Sequence, residues 1–112
     1  MAMNVVNIPP LNTAVRRKGQ TATNSGATAI VAAEAGRRIR VLGMIVVSTA
    51  ANSIKLQSAT TDITGLFPLA ANGGFTLPFN EHGWCETAPG EALNINMSAA
   101  TSTGLQIVYM VV

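Results

Sequence analysis

Charge is scarce in this sequence. Only 11% of its 112 residues are Asp, Glu, Lys or Arg, against roughly 25% in an ordinary soluble domain. Cysteine occurs once, at Cys85, so no disulfide can form within the chain. Histidine also occurs once, at His82, and aromatic residues make up 4%. The longest apolar run covers residues 41–47, counting Gly43. That is far short of the roughly 20 residues that carry a helix across a bilayer, so no membrane partner is expected. The opening MAMNVVNIPP has no basic segment followed by an apolar one, and no signal peptide is expected. Gly-x-Ser-x-Gly, a glycine-rich phosphate loop and a zinc-protease signature are all missing. With a single histidine and scattered acids, the sequence predicts no enzyme, no cofactor and no metal.

What is abundant is apolar. Such residues make up 48% of the chain and mean hydropathy is +0.35, which excludes a disordered chain. The length allows one domain. Thr, Ser and Asn supply most of the polar surface. A small, weakly charged, apolar-rich chain is expected to bury part of its surface against other subunits, because monomers rarely expose large apolar patches. The few charges are polarised. Residues 1–40 hold Arg16, Arg17, Lys18, Arg37, Arg38 and Arg40 against Glu34 alone, whereas residues 41–112 hold Lys55 against Asp62, Glu81, Glu86 and Glu91. Such a distribution can steer one face toward an acidic surface.

Period-2 alternation, the mark of a strand with two unlike faces, recurs along the chain. In Arg38-Ile39-Arg40-Val41 the charges take one face and the aliphatics the other. The run then becomes apolar on both faces through residue 47. Ile54 and Leu56 alternate with polar neighbours, as do Phe75, Leu77 and Phe79. Leu93, Ile95 and Met97 alternate with Asn94, Asn96 and Ser98. Leu105, Ile107, Tyr109 and Val111 share one face of a last strand whose other face, Val108, Met110 and Val112, is also apolar. Turn residues separate these runs at 24–26, 35–36, 51–52, 62–65, 72–74, 82–83, 89–90 and 102–104. Spacings of about 8 to 12 residues between turns indicate a sandwich or barrel. Pro68 and Pro78 cannot donate to a ladder and mark edge or interrupted strands. The alanine-rich 27–35 reads as strand and then turn. The prediction is an all-β, single-domain, jelly-roll-like β-sandwich of seven to nine strands over residues 19–112. An extended N-terminal arm, residues 1–18, precedes it.

Few residues offer chemistry. His82 and Cys85, flanked by Glu81 and Glu86, contain the residue types of a metal site or a nucleophile–base pair. A turn leading into a strand would point these neighbours in opposite directions, so a surface turn with a half-buried Cys85 is expected. Arg16-Arg17-Lys18 is a short basic cluster without nearby aromatics. It lacks a stacking platform for single-stranded nucleic acid, so docking onto an acidic protein surface is favoured. Arg38 and Arg40 share a strand face and extend the candidate patch. Tyr109 is expected in the core. Trp84 follows a glycine at a turn and is a candidate interface anchor, loop plug or sugar-stacking surface.

Four stretches carry a resemblance: Ala35-Gly36-Arg37-Arg38-Ile39-Arg40-Val41-Leu42, Ile54-Lys55-Leu56-Gln57-Ser58, residues 64–78 (TGLFPLAANGGFTLP) and residues 88–101 (APGEALNINMSAAT). From Gly36 to the C-terminus the chain resembles small virion proteins of tailed bacteriophages, in particular capsid decoration (cement) proteins and related head or tail modules. The resemblance implies a jelly-roll-like sandwich, frequently a homotrimer, on the outer surface of the head, made in the host cytoplasm. The partner would be the major capsid protein. The arm with Arg16, Arg17, Lys18, Arg38 and Arg40 would dock on the coat. The second faces of the 41–47 and 105–112 strands would bury against sister subunits. The alternative is a tail, fibre or receptor-binding module that recognises cell-surface glycan through Trp84, Asn80 and Glu81.

Overall fold

A computed structural model describes residues 14–112. Most of the expected arm therefore lies outside the described residues. Ten strands follow in order: β1 (Val15–Ala22), β2 (Gly26–Val31), β3 (Ile39–Ser48), β4 (Asn52–Ser58), β5 (Thr61–Asp62), β6 (Phe67–Leu69), β7 (Gly74–Leu77), β8 (Cys85–Glu86), β9 (Leu93–Met97) and β10 (Thr103–Val111). Among the described residues there is no helix. Arg16, Arg17 and Lys18, expected in the arm, instead lie within β1, which pairs with β10 along its whole length.

The strands form two antiparallel sheets. Sheet I has the order β1-β10-β3-β7, with β8 pairing the other end of β3. Sheet II has the order β2-β9-β4-β5, with β6 also on β4. The sheets pack through the alternating apolar positions read from the sequence. Ile39, Val41, Met44, Val46, Leu105, Ile107 and Val111 from sheet I meet Ile54, Leu56, Leu93, Ile95 and Met97 from sheet II in one cluster. Each such side chain contributes about 1.5–3 kcal/mol on burial. Tyr109 joins this cluster, as expected. Pro68 sits in the short edge strand β6 and β7 stops before Pro78, as their missing N–H groups require.

The run 41–47 owes its two apolar faces partly to a bulge. Gly43 pairs with Val108 and Val41 with Tyr109, so Leu42 is an extra residue. A bulge resets the in–out alternation. Val41 and Met44 both enter the core, although three positions separate them. Leu42 is fully buried yet lies outside the inter-sheet cluster. Neighbouring Gly43 has Phe79 Cα 3.5 Å from the place a Cβ would occupy, so the chain after β7 covers β3 here.

Polar side chains close the ends. Asn52 is buried; its Oδ1 accepts from Ser98 Oγ at 3.1 Å and from the Ala99 amide at 3.0 Å. Its Nδ2 lies 3.3 Å from Thr101 Oγ1 and 3.4 Å from Thr103 Oγ1. At the other end the segment after β8 is tied to both sheets. The Thr87 amide donates to the Ile39 carbonyl at 3.0 Å, and the Ala88 amide to Ser58 Oγ at 2.9 Å. The β4–β5 hairpin turns at Ala59 and Thr60, a turn the sequence did not signal, with Ala59 at φ +52°.

Candidate functional site

Strand alternation splits the basic cluster. Arg16, Lys18 and Gln20 pair with Tyr109, Ile107 and Leu105, whose side chains enter the core. They therefore lie on the inward side of edge strand β1, where they reach across to sheet II. Lys18 Nζ donates to the Ile30 carbonyl at 2.5 Å and Gln20 Nε2 to the Ala29 carbonyl at 3.1 Å. Arg16 Nη1 lies 3.1 Å from Glu34 Oε2. Arg17 lies on the opposite, outward side, opposite Val108, and makes no ion pair among the described residues.

Arg38 and Arg40 share one partner. Arg40 Nε lies 2.8 Å from Glu86 Oε1 and Arg38 Nη1 lies 3.5 Å from Glu86 Oε2. The antiparallel pair of β3 with β8 sets Arg40 opposite Glu86. Arg38 is held by two backbone bonds with Val112, at 2.9 and 2.8 Å. Arg17, Arg38, Arg40 and the start of β1 thus gather at one end of sheet I. The five candidate residues do not form a single patch: Arg16 and Lys18 face the other way.

The outward face of sheet I carries its charges at that end and none in the two rows farthest from it. Cross-strand pairing arranges it in rows: Val15, Met110 and Arg40; Arg17, Val108 and Gly43; Gly19, Gln106, Ile45 and Thr76; Thr21, Gly104, Val47 and Gly74. Val15, Ile45 and Val47 are 50%, 51% and 48% exposed. The second faces of the 41–47 and 105–112 strands therefore lie on one surface, to which β1 adds Val15. Neither Val15 nor the exposed Phe79 was singled out from the sequence. Val15 stands alone between Ala14 and the basic cluster, outside any alternating run, and Phe79 reads as one more alternating apolar position.

The outward face of sheet II is the opposite in kind. Asn94 and Asn96 of β9 lie there opposite Gln57 and Lys55 of β4, and Ser53 continues the β4 row opposite Pro68 of β6. Asn96 Nδ2 donates to Gln57 Oε1 at 3.2 Å, and Gln57 Nε2 to Asp62 Oδ1 at 2.8 Å. Lys55 Nζ lies 3.1 Å from Asp62 Oδ2. The Gln57 amide, and then Lys55, hold the Asp62 carboxyl below its usual range. Polar groups bonded to each other suit a solvated face.

A shallow cleft of about 190 Å³ lies beside the rim of sheet I, lined by Arg40, His82, Gly83, Trp84, Cys85 and Glu86. Trp84 is 46% exposed; its Nε1 donates to the Pro78 carbonyl at 2.8 Å and its amide to Val41 at 2.7 Å. The indole is thus fixed at one edge while much of the ring stays open. Gly83 has φ +85°, and a Cβ there would sit 2.5 Å from Arg40 Cγ. The glycine lets the loop lie on the arginine stem. His82 and Cys85 do not converge. Cys85 pairs with Val41 and packs against the core, and burial pushes its thiol up to about 11. His82 is open to solvent, its Nε2 4.0 Å from Glu81 Oε1. No group of three or more His, Cys, Asp or Glu with metal-binding geometry occurs among the described residues.

No protein-family model matches this sequence, and no curated protein matches it.

Proposed function

We propose that this protein is a structural virion component that decorates the head of a tailed phage and cements it. It binds the major capsid protein as an oligomer, with a trimer the favoured form. The observation that carries this reading is the inequality of the two outward faces: one hydrogen-bonded and polar, the other apolar in its middle with Arg17, Arg38 and Arg40 gathered at one end. A chain built this way suits a place within an assembly. The strand order supports a jelly-roll-like reading of the sandwich, with β1-β10-β3-β7 facing β2-β9-β4-β5 and β6.

Coat docking falls to the basic end of sheet I, where Arg17, Arg38 and Arg40 stand beside the start of β1. Binding only to the assembled shell stabilises that shell by mass action. Several weak contacts per oligomer multiply in effect. The protein, mixed with expanded heads that lack it, is expected to sediment with them in a fixed, saturable ratio to coat subunits. Arg17→Glu combined with Arg38→Glu should weaken that binding, and so should added salt. Folded protein that fails to bind heads would overturn decoration.

A second reading rests on the Trp84 cleft. A fixed, half-open indole beside Arg40, His82 and Glu86, with Asn80 and Glu81 nearby in sequence, suits a sugar ring with polar substituents. Glycan-array binding that disappears in Trp84→Ala would favour a tail or receptor-binding module. An array without signal would count against it.

A further inference from the structure

We infer that the free edge of β1 docks an extended, acidic segment of another protein, which joins sheet I as a further strand. That the coat protein supplies this segment rests on the decoration reading; the site itself rests on the edge. Antiparallel strands turn the backbone groups of alternate residues to opposite sides. In β10, the even-numbered side is fixed at both ends: Val112 exchanges backbone bonds with Arg38, and the Ser102 carbonyl accepts from Thr49. Even-numbered residues of β10 therefore bond to β3 and odd-numbered ones to β1. Their partners Arg16, Lys18, Gln20 and Ala22 spend their N–H and C=O groups on β10. Val15, Arg17, Gly19 and Thr21 turn theirs the other way. All four are exposed, and β1 pairs with no strand but β10 among the described residues.

Unpaired edges invite other strands, and proteins keep them short or cap them. The other edges here follow that rule. β5 and β8 have two residues each, β6 has three with Pro68 among them, and β7 has four. β2 is longer, but Gln20 and Lys18 cap its Ala29 and Ile30 carbonyls. β1 offers eight residues and no such cap among the described residues. Charge selects the occupant. Lys18 is committed to Ile30 and Arg16 to Glu34, whereas Arg17 has no ion pair among the described residues. A second β1, paired antiparallel about this cluster, would set basic side chains against each other, and like charges placed opposite destabilise a sheet. Residues 1–13 hold no acid to answer Arg17. An acidic strand from another protein does answer it: ladder bonds give the affinity, and the acid opposite Arg17 gives the specificity.

The probe is an acetylated and amidated peptide as long as β1, of alternating Thr and Val with a pair of Glu at its centre. The full chain should bind it, and the Arg17, Gly19 and Thr21 amides should then slow in hydrogen exchange, while those of Lys18 and Gln20 are slow throughout. N-methylation of alternate peptide residues should abolish binding in one phase and spare it in the other, because only one set of peptide amides faces β1. Thr21→Pro removes an edge donor and no β10 bond, so it fits an edge strand. It should weaken binding about fivefold, the worth of one hydrogen bond. Arg17→Glu should weaken binding roughly tenfold and favour the peptide with Lys in place of Glu. Should Thr21→Pro fail to fold, the N-methylated peptides decide. Three results overturn the inference: no binding at about 1 mM peptide, binding indifferent to N-methylation, or edge amides already protected in the free protein. The last would assign the edge to residues 1–13 or to a second copy. Head binding that leaves the Arg17 and Gly19 amides fast would also overturn it, with decoration left standing. Peptide binding by protein that ignores heads would overturn decoration and leave the edge site in place.

Discussion

Lys18 and Ile30 join the two sheets at their shared edge, the ammonium of one donating to the backbone carbonyl of the other at 2.5 Å. β1 and β2 are both edge strands, in different sheets, so this contact closes a seam that no ladder bond crosses. Lys18→Ala should therefore cost about 1 kcal/mol of stability in urea unfolding and leave head binding intact. Arg17→Ala should do the reverse, with a stability change within about 0.5 kcal/mol and weaker head binding. The opposite assignment of the two effects would return Lys18 to the docking surface.

Asn52 is buried at the end of the sandwich, where it ties the start of β4 to the segment after β9. Asn52→Ala removes the acceptor of the Ala99 amide and of Ser98 Oγ. The expected loss is about 1–3 kcal/mol, from the half-buried Ala99 amide left without its acceptor and the lost packing of a buried side chain. Asn94→Ala, on the solvated face, should cost under about 1 kcal/mol. Thermal and urea melts of the two variants check the difference.

Gly83 is held at φ +85° against the Arg40 stem. Gly83→Ala combines a left-handed backbone with a steric clash and should destabilise by about 1–3 kcal/mol. It should also displace Arg40 from Glu86. A double-mutant cycle between Arg40→Ala and Glu86→Ala, measured in both backgrounds, should show smaller coupling when Ala occupies position 83.

Cys85 should resist alkylation in the folded protein. Its thiol rises from 9.0 to about 11 because burial disfavours the thiolate. The iodoacetamide rate should therefore climb with pH toward a midpoint near 11 in the native protein and near 9 in denaturant. Linkage gives the sign for stability. The folded value is raised, so the contribution of this group is full below pH 9 and is lost as pH rises toward 11. Cys85→Ser should flatten that part of the stability profile.

Much of the fold was legible because alternation is a local property. Leu93-Asn94-Ile95-Asn96-Met97 declared a half-buried strand and became β9, with the two asparagines outward. The prolines at 68 and 78 limited β6 and β7. The Ala59–Thr60 turn was not legible, because neither residue favours a reversal and the turn is imposed by the β4–β5 pairing. The bulge at Leu42 was equally hidden. Its cause is the register between β3 and β10, whose Val41↔Tyr109 and Gly43↔Val108 partners lie more than 60 positions apart in sequence.

The sequence by itself determined that the chain is all-β, that Ile39 and Val41 oppose Arg38 and Arg40, and that the last strand is apolar on both sides. Period 2 settles which residues share a face, because successive side chains point to opposite sides of a strand. It does not say which face turns inward, nor what lies across from it. The tertiary structure decided that Arg16 and Lys18 turn inward to brace sheet II while Arg17 turns outward. It also brought Glu86 to Arg38 and Arg40, and set Ile45, Val47, Val108 and Val15 on one open surface. Those outcomes depend on pairings between strands distant in sequence, and only the closed sandwich fixes them.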